Sequence, residues 1–192
     1  VSALLRLQSR RMNSVEAKEG LEQAMRRVST IAMVHEALSQ GLTQEVNFDD
    51  LIGRQFNLAA ELASPDQHVH TRIVGSFGKL PSQIATPLAL VINEIVANAV
   101  EHGLAGQTGE VTLSCSHDYK PSGEHIMVVS IADNGVGLTE ETKMMLESGA
   151  PSSGLGTQIV MTLVSSELGG SIHWSSVKPH GTLVTIEVLL SG

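Results

Sequence analysis

The chain has few of the residues from which several kinds of site are built. Its 192 residues include one cysteine, and only 3% of them are aromatic. A single cysteine forms neither an internal disulfide bond nor a cysteine zinc site. So few aromatic rings do not supply the stacking surface on which single-stranded nucleic acid binds. Hydrophobic residues make up 42%, so the length and composition indicate one folded domain, or one domain plus an appendage.

Basic residues are also scarce, and their distribution is uneven. Residues 1–30 hold six basic and three acidic side chains, whereas residues 31–192 hold six basic and seventeen acidic ones. The main body therefore lacks a broad basic face that would neutralise nucleic-acid phosphates. The longest uncharged window, residues 148–166, is rich in Gly, Ser and Thr and is not apolar enough to span a membrane. We expect neither nucleic acid nor a membrane as a direct partner.

The single cysteine lies in a stretch of alternating apolar and polar residues. Cys115 shares one face of that stretch with Val111 and Leu113, which predicts a buried, reduced thiol on a strand. A reduced thiol favours a cytoplasmic location.

The first 44 residues have the pattern of a helical hairpin. Residues 1–13 resemble the end of one helix, and Asn13 or Ser14 can cap a second helix that stops at Gly41. Apolar positions of the second helix recur at heptad spacing, which is typical of a seam between helices: Leu21, Met25, Val28, Ala32 and His35. The first arm is shorter than the second by about a dozen residues. We therefore expect a partial hairpin, completed upstream, that dimerises as a four-helix bundle.

The remainder, residues 45–192, alternates helices with short strands. The pattern predicts helices at about 49–63, 81–103 and 155–168 and strands at about 69–77, 111–117, 126–132, 172–176 and 183–189. Residues 139–153 are polar and predicted to be loop-like, with one short helical patch. Because several strands follow one another as hairpins, we expect an α+β fold, a two-layer α/β sandwich with a mixed sheet.

Two polar residues interrupt the apolar helix at residues 81–103. Glu94 and Asn98 are four positions apart, so both project from one side of the helix. A carboxylate and an amide offer oxygen ligands to a hard cation such as Mg²⁺, which keeps several waters and bridges phosphates. Taken alone, the pair is more typical of a solvated polar stripe.

Three glycine-containing segments follow the helix. Asp133 ends an apolar strand and opens the run DNGVGL, where a carboxylate can accept from an exocyclic amine and the glycines admit a flat ligand. The run SGLGT at residues 153–157 opens a helix whose free amides can bind phosphate without a lysine. Gly181 and Thr182 begin the final strand. Alone, the first two are more typical of an Asx-Gly turn and a flexible helix entry, and the third carries no signal.

In this order the four segments resemble the N, G1, G2 and G3 boxes of the GHKL (Bergerat) ATP-binding domain shared by histidine kinases, gyrase, Hsp90 and MutL. The resemblance covers roughly residues 65–190. The runs SALLRLQSRR and IAMVHEALSQG resemble the HisKA_2-like dimerisation hairpin of soluble actinobacterial sensor histidine kinases. That resemblance implies a homodimeric phosphoprotein that transfers the ATP γ-phosphate to a histidine and on to a response-regulator aspartate. In that subfamily the acceptor histidine lies just upstream of LLRLQ, so we expect it to be missing here.

The resemblance also implies roles for individual residues. Asp133 is expected to bind the adenine amino group, Asn98 to bind Mg²⁺, and Glu94 to polarise the nucleophile or to ligate the metal as well. Further ATP contacts are implied at His102, Gly135, Gly137, Leu138, Gly154, Leu155, Gly156, Thr157 and Thr182. Residues 139–153 would form the ATP lid. Glu101 departs from the pattern, because many histidine kinases carry a phosphate-facing lysine there.

Two alternatives stay open at this stage. A serine-kinase anti-sigma factor uses the same ATP-binding domain, although it normally lacks a heptad hairpin. A non-catalytic pseudokinase that binds nucleotide or only dimerises would be consistent with Glu101. An acid-labile phosphorylated product distinguishes a histidine kinase from the serine kinase. Measuring the affinity for nucleotide tests the pseudokinase alternative.

His35 generates the first testable prediction, because it is the one histidine of the predicted hairpin. A histidine on a heptad seam is more often structural than reactive. We therefore expect no self-labelling of this chain by radioactive ATP, but transfer to an acceptor helix added in trans. Acid-labile self-labelling that disappears in His35→Ala would contradict this expectation.

Overall fold

A computed structural model of the chain describes residues 15–39, 45–61, 68–148 and 154–190. The first arm of the predicted hairpin lies outside the described residues, as do Gly41 and the last part of the predicted lid. The second arm is a single helix that closely matches its predicted bounds.

The described elements alternate helices and strands in chain order. They are α1 (Val15–Ser39), β1 (Glu45–Asn47), α2 (Phe48–Glu61), β2 (Val69–Val74), β3 (Lys79–Pro81), α3 (Ser82–Asn98), β4 (Gly109–Tyr119), β5 (His125–Asp133), α4 (Glu140–Ser148), α5 (Leu155–Thr162), β6 (Ser171–Ser176) and β7 (Thr182–Leu190). Helix α3 continues into a π-helical turn, Ala99–Gly103, and α5 into another, Leu163–Glu167.

Five strands form one mixed sheet in the order β2-β4-β5-β7-β6. Strand β2 runs parallel to β4, and the other neighbours are antiparallel. The sheet and its helices confirm the predicted α+β fold class. Strands β1 and β3 form a separate antiparallel pair. Neither was predicted, because three residues are too few to display an alternating pattern.

One face of the sheet packs against the helices and forms the core. Along β4, Val111, Leu113 and Cys115 are buried on this face, as their alternation predicted. Burial, and secondarily the negative charge of Asp49, raise the pKa of the Cys115 thiol to about 12. The thiol is therefore protonated and unreactive at physiological pH.

Helix α3 is the central helix of the core. Among the described residues, Ser82–Gly103 is the one helix long and apolar enough to span a membrane, and 61% of its apolar window is buried inside the protein. The segment does not stand out as an uncharged window in the sequence because Glu94 interrupts it. Packing of the helix on the sheet identifies it as a core helix.

Helix α1 packs against α3 through a face other than the predicted seam. Val34 is buried in the common core, and the buried Thr30 hydroxyl accepts a hydrogen bond of 2.7 Å from the Gln55 side chain of α2. By contrast, Val28 and Ile31 on the seam side are 43% and 47% exposed. The part of the seam around Val28 and Ala32 therefore points away from the body of the domain, whereas Leu21 and Met25 are half-buried.

The start of α2 holds the loop between β2 and β3 through one carboxylate. Asp49 accepts hydrogen bonds from the amides of Phe77 (2.7 Å) and Gly78 (3.0 Å) and from the Ser76 hydroxyl (2.7 Å). Burial alone would raise the pKa of Asp49. These bonds, with the charge of His117, outweigh that effect and lower it below its ordinary value.

We expect Asp49→Asn to lower the free energy of unfolding at pH 7 by on the order of 2 kcal/mol, because hydrogen bonds to a charged acceptor are lost. A lowered folded-state pKa gives stability that is present above the unfolded pKa and is lost as pH falls through the folded value. Urea unfolding at pH 7 and pH 3 should therefore show a difference from wild type that shrinks in acid. The exposed Asp118→Asn is the control, and a pH-independent difference would contradict the prediction.

Candidate functional site

A cavity of about 360 Å³ opens between α3, α4, α5 and the sheet. Ten of the twelve predicted site residues line it: Asn98, His102, Asp133, Gly137, Leu138, Gly154, Leu155, Gly156, Thr157 and Thr182. The volume falls within the range of small-molecule and cofactor sites. The four sequence motifs therefore meet at one cavity, although the role of each residue stays a prediction.

Asp133 is the buried carboxylate of this cavity. Its Oδ1 accepts hydrogen bonds from the amides of Gly135 (2.9 Å) and Thr182 (3.3 Å). Among the residues that the structure describes, none donates a hydrogen bond to Oδ2. The two amides fix the orientation of the carboxylate and leave its second oxygen for a donor on a ligand.

Gly135 does not line the cavity, and its part is structural. A Cβ at this position would overlap the carbonyl oxygen of Gly103 at the end of the α3 turn. The next residue, Val136, donates its amide to that same oxygen at 2.9 Å. Only glycine permits this approach, which fixes the loop after Asp133 against α3.

The N-terminal end of α5 also borders the cavity. Gly154 precedes the helix with a φ of 86°, which glycine adopts without strain. Gly156 and Thr157 in the first turn are buried. The free amides of this turn and the helix dipole favour an anionic group at this end.

Glu94 is 3% exposed and does not line the cavity. Its carboxylate accepts two hydrogen bonds from Arg27 of α1, one from Nε at 2.9 Å and one from Nη2 at 3.1 Å. A Cβ at Gly156 would lie 2.8 Å from Glu94 Oε2, so the ion pair adjoins the first turn of α5. Removing one partner of such a buried pair typically costs about 3–5 kcal/mol.

Arg27 was missed by the sequence analysis. Its predicted neighbourhood was a dimer seam, and no local pattern connects residues 67 positions apart. One signal was available in the sequence. Two adjacent arginines lie in the basic segment, and two glutamates lie on α3 and its π-helical continuation, which belong to the acidic part of the chain.

The second of those glutamates is Glu101, which departs from the family pattern. It pairs with Arg26 of α1 at 3.2 Å and is 44% exposed. It is absent from the residues that line the cavity. The acidic side chain therefore points towards α1, so it does not repel a bound anion from the cavity wall.

The predicted lid contains more helix than expected. Residues 140–148 form α4, nine residues long, where the sequence predicted a loop with a short helical patch. Glu140 and Glu141 in its first turn stabilise the helix through the dipole. Met145 and Leu146 of α4 line the cavity, as does Trp174, which lies in the strand predicted at residues 172–176.

The sequence matches two protein families. Residues 83–192 match the family described as histidine kinase-, DNA gyrase B-, and HSP90-like ATPase, and residues 1–63 match a family described as histidine kinase. The chain belongs to the histidine kinase ATPase family. This confirms the resemblance inferred from the four motifs and from the hairpin.

Individual relatives agree with this assignment. Sensor histidine kinase PdtaS of Mycobacterium tuberculosis is 40% identical over 190 residues, which are 98% of this chain and 36% of the relative. The blue-light-activated histidine kinase of Rhizobium johnstonii is 27% identical over 174 residues, 86% of this chain and 43% of the relative. The chain thus spans less than half the length of these curated relatives.

A solved structure shares the fold. The histidine kinase domain from the Erythrobacter litoralis EL346 blue-light activated histidine kinase aligns with a TM-score of 0.70 at 20% identity. The alignment covers 97% of this chain and 82% of that structure. At this identity the likeness supports the fold of the ATPase family and nothing finer.

The contact between Gly135 and Gly103 generates a prediction for this ATPase site. We expect Gly135→Ala to weaken nucleotide binding at least tenfold, because the added Cβ pushes the loop and Asp133 away from α3. Isothermal titration with a non-hydrolysable ATP analogue measures the effect. Gly53→Ala on α2 is the matched control, since a Cβ there meets nothing within 4 Å. Equal affinities of the two variants would contradict the prediction.

Proposed function

We propose that the chain is the ATP-binding kinase core of a cytoplasmic two-component sensor histidine kinase. In this proposal it transfers the γ-phosphate of ATP to a histidine, from which the phosphate passes to a response-regulator aspartate. The observation that carries the proposal is the buried Asp133 carboxylate, held by two amides with its second oxygen available. An exocyclic amine of adenine has the donor that this oxygen accepts.

The geometry supports one orientation of the nucleotide. The adenine ring lies against Asp133, with Gly137 and Thr182 beside it and Trp174 in the apolar wall. The triphosphate then extends towards Asn98 and the first turn of α5. Among the described residues that line the cavity, none is a lysine or an arginine, so in this proposal the phosphates depend on helix amides and on a cation bound with the nucleotide.

Magnesium fits part of the available donor set. The amide oxygen of Asn98 is a suitable hard ligand and lines the cavity. Glu94 fits less well, because both of its oxygens accept hydrogen bonds from Arg27. We therefore assign Asn98 as the protein ligand, with Glu94 as the weaker candidate. When bound, Mg²⁺ supplies positive charge that offsets the phosphates.

The proposed reaction is an in-line displacement. An imidazole nitrogen of the acceptor histidine forms a bond to the γ-phosphorus, the bond from that phosphorus to the bridging oxygen breaks, and ADP leaves. The second imidazole nitrogen loses its proton to solvent water, and Glu94 is the carboxylate that we assign to polarise that N–H. In phosphoryl transfer the protein contributes mainly positioning and electrostatic stabilisation.

We further propose that residues 1–44 belong to the dimerisation hairpin and residues 45–192 to the ATP-binding domain. Val28, Ile31 and Ala32 are exposed on α1 and form an apolar stripe on the side away from the body. A second copy of the hairpin would bury this stripe. Such a homodimer and an acidic receiver-domain partner are consistent with a phosphorelay.

The test of this function is Asp133→Ala. Losing a hydrogen bond to a buried charged acceptor costs about 1.5–3 kcal/mol, so we expect ATP affinity to fall roughly 10- to 150-fold. Histidine phosphorylation should fall with it, measured as acid-labile label on an acceptor helix. Asp118→Ala, at an exposed aspartate on β4, is the control. An acid-stable product would favour the serine-kinase anti-sigma factor. A wild-type chain that binds no nucleotide would favour the non-catalytic protein that only dimerises.

A further inference from the structure

The ion pair between Arg27 and Glu94 joins α1 to the phosphate end of the cavity. The carboxylate of Glu94 is nearly inaccessible, and the side chain of Arg27 is 17% exposed. Among the described residues, no other charged donor bonds Glu94. A charge buried to this degree needs a partner, and Arg27 of α1 is that partner.

The geometry of the ion pair fixes the orientation of the Glu94 carboxylate in addition to neutralising its charge. Arginine presents a rigid planar fork, and two of its nitrogens each bond one carboxylate oxygen at 2.9 and 3.1 Å. A fork with two bonds sets the plane and direction of the carboxylate, which a single bond does not. Arg27 thus determines where the remaining lone pairs of Glu94 point.

The pair lies beside the first turn of α5. A Cβ at Gly156 would be 2.8 Å from Glu94 Oε2 and 3.9 Å from Arg27 Nη2. Gly156 itself lines the cavity. The ion pair therefore adjoins the cavity wall at the first turn of α5.

Other contacts besides this ion pair also hold α1 on the domain. Val34 is buried against the body, and the Thr30–Gln55 hydrogen bond is buried as well. The neighbouring Arg26 makes a second, more exposed ion pair with Glu101. The placement of Arg27 on Glu94 is thus a feature of the site beyond what attachment of the helix demands.

We propose that Arg27 is a positioning residue for phosphoryl transfer. It fixes the orientation of the Glu94 carboxylate beside the first turn of α5, so the carboxylate that we assign to polarise the acceptor imidazole is in place only when α1 is docked on the ATP-binding domain. This inference rests on the proposed histidine kinase function. It gives α1 a part in the chemistry of the site in addition to its part in dimerisation.

The experiment compares Arg27→Gln with Arg26→Gln in the whole chain. The single-turnover rate of transfer to an added histidine-bearing acceptor helix is measured at saturating ATP and Mg²⁺, and the affinity for an ATP analogue is measured separately. We expect Arg27→Gln to transfer about 100-fold more slowly, the order expected for a misplaced catalytic group. Nucleotide affinity should stay within twofold, and Arg26→Gln should retain the wild-type rate.

Two further variants separate positioning from folding. Arg27→Lys keeps the charge but cannot bond both oxygens as a planar fork, so we expect a melting temperature near wild type and an intermediate rate. In the double variant Arg27→Gln/Glu94→Gln the rate should be no lower than in Glu94→Gln alone, because Arg27 acts through Glu94. Circular dichroism identifies any variant that fails to fold. If Arg27→Gln fails to fold, the transfer rate of Arg27→Lys tests the inference instead.

The outcomes distinguish the inference from the function on which it rests. Wild type that transfers no phosphate would overturn the proposed function and the inference with it. If the wild type is active and the transfer rate of Arg27→Gln is unchanged or faster, the inference alone is overturned. A faster rate would indicate that α1 restrains Glu94. The inference would also be overturned if Arg27→Lys transferred phosphate at the wild-type rate. It would likewise be overturned if the losses of transfer rate in the two single variants added in the double variant.

Discussion

The structure depends on the burial of α3 between the sheet and the other helices. The helix is apolar around most of its circumference, and Leu88, Val91 and Ile92 are nearly inaccessible. In such a setting each polar side chain needs a partner or an opening towards a cavity. Glu94 finds its partner in Arg27 of α1, and Asn98 opens onto the cavity. Burial of α3 therefore stabilises the domain and also determines where the polar side chains of this helix can lie.

The second constraint is charge. The chain carries a formal charge of −8, and a site for a triphosphate would be unfavourable if its acids faced the phosphates. The structure separates them: Asp133 lies where a base amine is expected, and Glu94 is neutralised by Arg27. Glu101 is turned to Arg26 outside the cavity lining. These pairings reduce the uncompensated negative charge beside the first turn of α5, where the helix amides favour an anionic group.

The fold and most of the cavity lining followed from the sequence because their signals are local. The loop at Asp133 and the helix start at Gly156 are contiguous runs with recognisable spacing, and β4 has clear alternation. Three features had no such signal. Strands β1 and β3 have three residues each, too short for a period. Helix α4 was obscured by its polar composition, and Trp174 reaches the cavity only through the pairing of β6 with β7. The Arg27–Glu94 pair arises from packing of helices distant in sequence.

The same packing accounts for the departure at Glu101. Arg26 and Arg27 are adjacent, separated by about 1.5 Å along their helix, whereas Glu94 and Glu101 are about 10 Å apart along theirs. The two guanidinium groups must therefore diverge along α3 to reach their partners at 3.2 and 2.9 Å. A lysine in place of Glu101 would meet Arg26 with like charge and would oppose this docking. Glu101 is thus matched to Arg26 of α1, as Glu94 is matched to Arg27.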